Sequence, residues 1–261
     1  MYKWIVLAAL LILPLPDDAQ AQTPQEKGLA IAREADKRDT GWKDQKSDLK
    51  MILRNRQGQE TTREIRNRQL EVIGDGDKSM SIFDSPRDVQ GTAFLSHTHA
   101  TKPDDQWLFL PALKRVKRIS SNNKSGPFMG SEFAYEDITS QEVEKYTYKW
   151  LRDEKLNGHD TFVMERYPEY EHSGYSKQVA WIDKDMYQPW KVDFYDRKGD
   201  LLKTLTYHDY KQYLGKYWRP NRMEMVNHIT KKSTTLIWDN YKFNNGFTDR
   251  DFDRNSLKRA R

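Results

Sequence analysis

The chain has 261 residues, with 44 lysines and arginines against 39 aspartates and glutamates, no cysteine, and 12% aromatic content within a hydrophobic content of only 36%. A net charge of +5 with both signs interspersed argues against steering to nucleic acid. The absence of cysteine excludes disulfides, thiolate metal sites and a lipid-modified cysteine within this sequence.

Lys3, the apolar run from Ile5 to Leu13 and the small-residue site Ala19-Gln20-Ala21 form the three-part pattern of a secretory signal peptide. Residues 1–21 are therefore predicted as a cleaved leader, with the mature chain starting near Gln22. The apolar run is about half the roughly 20 residues that span a bilayer. Losing Lys3, Asp17 and Asp18 raises the net charge from +5 to +6. An exported protein without an acyl anchor fits the periplasm, touching membranes only peripherally. Residues 22–261 contain no Pro/Gly/Ser-rich linker, low-complexity tract or repeat, so a single domain is expected.

Thr23-Pro24-Gln25-Glu26 combines an N-cap, a first-turn proline and a capping-box glutamate, predicting a helix that ends near Thr40-Gly41. Leu29, Ala32 and Ala35 give that helix one apolar side. From Asp48 the period changes to two, with Leu49, Met51 and Leu53 alternating with polar residues. Turn signals at Gln57-Gly58, Gly74-Asp75-Gly76, Asn157-Gly158 and Lys198-Gly199 then punctuate a succession of strands. Tight turns of this kind join antiparallel neighbours, so a long meander is expected. Two loop-rich stretches, Ser85 to Asp105 and Ser120 to Ser140, have room for short helices and are candidates for a lid. Thr248 to Lys258 reads as a short basic helix or a frayed tail.

Trp107, Leu108, Phe109 and Leu110 read as a strand buried on both faces, continued into solvent by Lys114, Arg115, Lys117 and Arg118. As a strand, this basic run sends two charges to each side and offers contact to lipid phosphates or an acidic partner, or simply guards a sheet edge. Elsewhere, alternation pairs Met80 with Ile82, Trp107 with Phe109, Val192 with Phe194, Met223 with Met225, and Leu236 with Trp238. Phe128 and Trp181 complete the set of candidate cargo-binding residues. Each pair has an ordinary core reading. Taken together they present more apolar surface than one amphipathic helix covers, which leaves a face for a hydrophobic guest.

Catalytic signatures are missing: there is no G-x-S-x-G elbow, no H-E-x-x-H and no phosphate-binding loop, so no enzyme is expected. The His97/His99 pair lacks a third ligand and reads as a surface pair. Asp75 and Asp77 lack the remaining ligands of a calcium loop and read as a hairpin turn. Glu142, Glu144, Asp104 and Asp105 lie in charged stretches, where exposed carboxylates of ordinary acidity are expected. No metal or cofactor is predicted.

LPALKRVKRI at 110–119, SGPFMGSEFAYEDI at 125–138, YPEYEHSGYSKQVAWIDKDMYQPWKVDFYD at 167–196 and WRPNRMEMVNH at 218–228 resemble the outer membrane lipoprotein-sorting protein family. That family belongs to the LolA/LolB-type superfamily of periplasmic carriers, and the resemblance extends over nearly the whole mature chain. It implies an α+β fold: a strongly curved antiparallel β-sheet, an open LolA-like half-barrel, with an N-terminal helix and short lid helices covering an apolar cavity. It also implies a carrier that shields a lipid or lipoprotein acyl chain, and some relatives work beside inner-membrane transporters of the RND type. The loop from Gly126 to Gly130 is the expected moving part. The competing expectation is an accessory or regulatory subunit that binds an envelope protein through the same sheet.

Overall fold

The computed structural model describes residues 22–259, and the predicted leader lies outside the described residues. The first helix, α1 (Pro24–Asp39), begins with the capping box expected of its sequence. The Glu26 N–H donates to Thr23 Oγ1 at 3.2 Å, and the Thr23 N–H donates to the Glu26 carboxylate at 2.8 Å. Both orphan donors are thereby satisfied, and Thr40 ends the helix in extended conformation.

Thirteen antiparallel strands follow: β1 (Asp44–Arg54), β2 (Glu60–Leu70), β3 (Lys78–Ser85), β4 (Ala93–His97), β5 (Asp105–Leu110), β6 (Arg115–Ile119), β7 (Tyr146–Leu156), β8 (His159–Pro168), β9 (Tyr175–Asp183), β10 (Pro189–Asp196), β11 (Leu201–Tyr213), β12 (Tyr217–Asn227) and β13 (Ser233–Phe243). Their spatial order is β6-β5-β4-β3-β2-β1-β13-β12-β11-β10-β9-β8-β7. Two meanders are thus fused where the first strand pairs with the last, Leu49 opposite Trp238 and Met51 opposite Leu236. The β7–β8 turn has positive φ at both Asn157 (50°) and Gly158 (92°), which its Asn-Gly sequence favours because the twist then matches the flanking strands.

Three expected elements differ. The stretch from Ser85 to Asp105 holds no helix; it supplies β4, four of whose five residues are buried. Ala-Phe-Leu-Ser is too short and too continuously apolar to show any period, so burial on both faces decided its state. The stretch from Ser120 to Ser140 forms single 3-10 turns in place of lid helices. The tail from Thr248 to Lys258 is two 3-10 turns that are anchored, with Phe252 and Leu257 fully buried.

The sheet is open, because β6 and β7 each have one strand neighbour. It is also strongly curled. The Tyr135 carbonyl accepts from the Gln106 side chain on β5, while Asp137, two residues on, accepts from Tyr175 on β9. Those strands stand nine places apart, about 40 Å in a flat sheet at ~4.8 Å per strand. Two residues of chain bridge them only if the sheet wraps around the segment.

The concave face carries α1 at the β7 edge, where Gly28 sits so close that an added Cβ would lie 2.9 Å from the Lys149 nitrogen. The convex face is covered near its other edge by the C-terminal tail. There Met80, Ile82, Ala93 and Leu95 pack with Phe252 and Leu257, joined by Trp107, Phe109, Val116 and Phe247. Register confirms the shared face: Met80 is opposite Leu95 and Leu95 opposite Trp107, while Ile82 is opposite Ala93 and Ala93 opposite Phe109. Phe252→Ala is expected to cost about 3–5 kcal/mol by opening this satellite core, read as a lower denaturant midpoint. A loss below about 1 kcal/mol would show that the tail is not packed there.

Candidate functional site

The β6–β7 connector, residues 120–145, crosses the concave face and closes one part of it. Its ring Phe128 is 2% exposed and meets Phe94 and Tyr135 edge-on at 5.1 and 5.4 Å. Polar anchors hold it on several strands. Lys203 Nζ on β11 donates to Asp137 Oδ2 at 2.7 Å and to the Glu132 carbonyl at 2.9 Å. Tyr175 on β9 donates its hydroxyl to Asp137 at 2.9 Å. Glu136 accepts from the Gly174 N–H and Ser173 hydroxyl, both at 2.8 Å, and from the Tyr170 hydroxyl at 2.9 Å. Asp104 accepts from Lys124 at 3.0 Å and from Lys145. Removing Lys203 or Asp104 would leave buried charges without their ion-pair partner, so these pairs pin the connector to the sheet. The Gly126 to Gly130 loop, the expected moving part, packs in this structure through Phe128 on Phe94 and Tyr135.

Beyond the connector an open cleft of about 870 Å³ remains between α1, the β2–β3 turn, the connector's end at 140–144 and the sheet. Its floor has two halves. Met164 on β8, Ile182 on β9, Met223 on β12 and Trp238 on β13 make an apolar half. Gln45 and Ser47 on β1 with Asn67 and Gln69 on β2 make a polar half. The roof is α1, presenting Ile31, Ala32 and Ala35, and the rim adds Trp218 and Tyr241. The expected apolar cavity is therefore an amphipathic one.

Two of the twelve predicted cargo residues, Met223 and Trp238, line this cleft. Phe128, Val192, Phe194, Met225 and Leu236 face the same side but are at most 3% exposed within the main core. Met80, Ile82, Trp107 and Phe109 point the other way, under the tail. Trp181 lies in a third cluster with Val163 and Val179, its indole N–H donating to Glu154 at 3.0 Å. Alternation names the residues that share a face but does not say which face is concave; Phe83, Phe94 and Leu108, the intervening residues, occupy the inner one. The cleft's polar half was missed although Gln45 and Ser47 continue the inward phase of Leu49 and Met51.

The basic run does not send two charges to each side. Lys114 occupies a left-handed turn (φ 49°) before β6, and alternation within β6 puts Arg115 and Lys117 on one face and Arg118 on the other. All four are exposed, and Arg118 bonds Asp105. The histidines are not a surface pair: partly buried, they hold separate partners, His97 the Phe252 carbonyl at 2.7 Å and His99 the Asp75 carboxylate at 2.8 Å. Among the described residues no group of acidic and histidine side chains has the geometry to hold a metal.

Carboxylates dominate the cleft's electrostatics: Asp36 and Asp39 from α1, Glu71, Asp75 and Asp77 from the β2–β3 turn, and Glu142 and Glu144 from the connector, against the guanidiniums of Arg166 and Arg219. Burial pushes Glu142 up to about 7, helped by Asp77, and pushes Asp77 up to about 6. Burial also raises Asp36, and raises Asp39 despite its 2.6 Å contact with Arg219. Asp75 is held down to about 2 by its hydrogen bond from His99. The ordinary acidity expected of exposed carboxylates thus fails for Glu142, and Asp104, 7% exposed, is buried.

A carboxylate whose pKa is raised on folding contributes stability below its unfolded pKa, and that contribution is lost as pH climbs through the folded value. For Glu142 the window runs from its ordinary 4.5 to about 7. Glu142→Gln is expected to flatten the fall of Tm across that window and to raise Tm at pH 8 by roughly 2–4 °C, measured by thermal melts of both proteins. A constant difference between the two at every pH would contradict the assignment.

A family model described as an uncharacterized protein matches residues 75–259. A solved domain from Vibrio parahaemolyticus, described as an outer membrane lipoprotein-sorting protein, is 60% identical, with a TM-score of 0.88 over 90% of this chain and 99% of its own. A DUF1329 family protein from Desulfovibrio piger is 30% identical, with a TM-score of 0.86 over 90% and 99%. A LolA superfamily protein from Nitrosomonas europaea, 22% identical with a TM-score of 0.70 over 88% and 98%, shares the fold. Among curated proteins none matches. The chain belongs to the DUF1329 family, whose structural relatives include the outer membrane lipoprotein-sorting domain, and its fold is that of the LolA superfamily.

Proposed function

We propose that the protein is a periplasmic carrier that shields the apolar part of an amphipathic guest, a lipid or a lipoprotein acyl chain, during transfer between membranes. The observation that carries this reading is the cleft of about 870 Å³ left open between α1 and the sheet. Its size falls in the range of ligand pockets, roughly 300–1,000 Å³. An acyl chain laid along Met164, Ile182, Met223 and Trp238 gains about 0.8 kcal/mol per methylene taken from water. The solved domain described as lipoprotein-sorting supports the carrier class. Among the described residues no helix is long and apolar enough to cross a membrane, which suits a shuttle whose leader is removed.

The free edge of β6 gives the partner side of the proposal. Its exposed Lys114, Arg115, Lys117 and Arg118 stand at the open end of the sheet, away from the α1 edge. They would meet anionic headgroups or an acidic surface of the donor, an inner-membrane transporter of the RND type. The same edge leaves room for the second reading, an accessory subunit docked on an envelope protein, because it presents backbone groups with no strand neighbour.

Native mass spectrometry of protein taken gently from periplasm, followed by lipid extraction, separates the two. A carrier retains lipid. An empty protein bound stoichiometrically to a protein partner would overturn the carrier reading. Trp238→Asp in the cleft is expected to reduce retention about tenfold or more. Trp107→Phe, on the convex face, leaves retention unchanged. Equal retention by both variants would place the guest elsewhere.

A further inference from the structure

The charges lining the cleft are sorted by element. Among the described residues its carboxylates all come from α1, the β2–β3 turn and the connector, whereas the charged side chains that the strands of the floor contribute are two guanidiniums, Arg166 on β8 and Arg219 on β12. Arg219 is neutralised by Asp39 at 2.6 Å. Arg166 is not. It donates from Nη1 to the Gln141 side chain and lies 5.9 Å from the centre of the Tyr146 ring, but it forms no ion pair among the described residues. Its Nε is buried without a hydrogen-bond partner.

A second buried group beside it is equally unanswered. Gln178 on β9 is the direct cross-strand partner of Arg166, so the two side chains leave the same face about 5 Å apart. Gln178 is 2% exposed, and its Oε1 has no hydrogen-bond partner either. Buried polar atoms are ordinarily paired, and a donor and an acceptor at adjacent positions can be answered together by one polar head group.

The surroundings give Arg166 no counter-charge. Tyr146 and Tyr148 on β7 and Tyr207 on β11 feel its charge, yet burial raises all three phenols, Tyr207 to about 12, so they stay neutral. Of the acids, Asp75 is held by His99, Asp77 by the Val72 N–H and the Ser140 hydroxyl, and Glu71 by the Gly41 and Lys43 N–H groups. Burial, helped by Asp77, raises Glu142 to about 7 against the pull of Lys145, and burial raises Asp36 as well. Glu144 is exposed to water.

Resting on the carrier reading above, we infer that the guest carries an oxyanion head, a carboxylate or a phosphate, and that Arg166 is the residue that selects it. Met164 precedes Arg166 by two residues on β8 and so shares its face, which sets the guanidinium beside the apolar half of the floor. A tail laid on Met164, Ile182, Met223 and Trp238 thus brings its head to Arg166 and the neighbouring Gln178 amide. An oxyanion there accepts from Nε and gives the guanidinium a counter-ion through charge-assisted hydrogen bonds, which a neutral or cationic head does not.

The test uses the mature protein and four single-chain probes of equal tail length below their micelle-forming concentrations: decanoate, decyl phosphate, decyl glucoside and decylammonium. Titration calorimetry at pH 7.5 and low salt reads affinity. At least one of the two anions is expected to bind about tenfold more tightly than decyl glucoside and decylammonium, and the tighter of the two names the head as carboxylate or phosphate. Arg166→Gln is expected to bring the anions to the level of decyl glucoside. Gln141→Ala, which removes the guanidinium's side-chain partner but not its charge, is expected to keep the preference. Where Arg166→Gln does not melt cooperatively, Arg166→Lys carries the test: it keeps the charge, lacks Nε, and is expected to lower anion affinity about threefold or more. Equal binding of all four probes, tighter decylammonium, an unchanged preference in the Arg166 variant that folds, or an equal loss in Gln141→Ala overturns the head-group inference and leaves the carrier reading intact. Binding of none of the four sinks the carrier reading itself.

Discussion

The anchoring of the 120–145 connector inside the curled sheet is the constraint on which the rest of the structure depends. Lys203 and Asp137, both nearly excluded from solvent, meet at 2.7 Å, and Tyr175 and Glu132 complete their shell. A buried pair of this kind is a weak source of net stability, because desolvation offsets its attraction. Its consequence here is positional. The pair ties the connector to β11, and Phe128 on the same connector packs on Phe83 and Phe94. One part of the concave face is thereby filled by the chain itself, and the part under α1 is left open.

That division explains why so large a sheet exposes so little greasy surface. The inner face is shared between the connector, α1 and the cleft, and the outer face near β3 to β6 is covered by a tail of two short 3-10 turns. What remains for a guest is narrower than a full half-barrel and more polar. Gln45, Ser47, Asn67 and Gln69 take inward positions that in a purely apolar cavity would be aliphatic. The cleft therefore has two chemically different halves, an apolar one on β8, β9, β12 and β13 and a polar one on β1 and β2.

Much of the fold was legible in the sequence because its signals are local. The capping box at Thr23 and Glu26, the Asn157-Gly158 turn and the period-two runs are set by neighbouring residues and held in the structure. What was not legible depends on distant partners. β4 has a continuous apolar run that only its burial between β3 and β5 makes a strand. Glu142 sits in a charged sequence, yet the opposite elements bury it. Met80 and Trp107 look like Met223 and Trp238 in their alternation, but the C-terminal tail claims the first pair and the cleft the second. The polar half of the cleft was readable in principle, since Gln45 and Ser47 lie in phase with Leu49 and Met51.

Amide hydrogen exchange of the connector tests this account most directly, because a plug and a lid differ in how often their backbone opens. If residues 126–138 are locked by Asp137, Glu136 and the Phe128 cluster, their amides exchange as slowly as those of the central strands β1 and β13, and Lys203→Met releases them. Exchange of these amides at the rate of an open loop in the unmodified protein would contradict it. The concave face would then be an uncovered trough, and the cleft under α1 would lose its boundary.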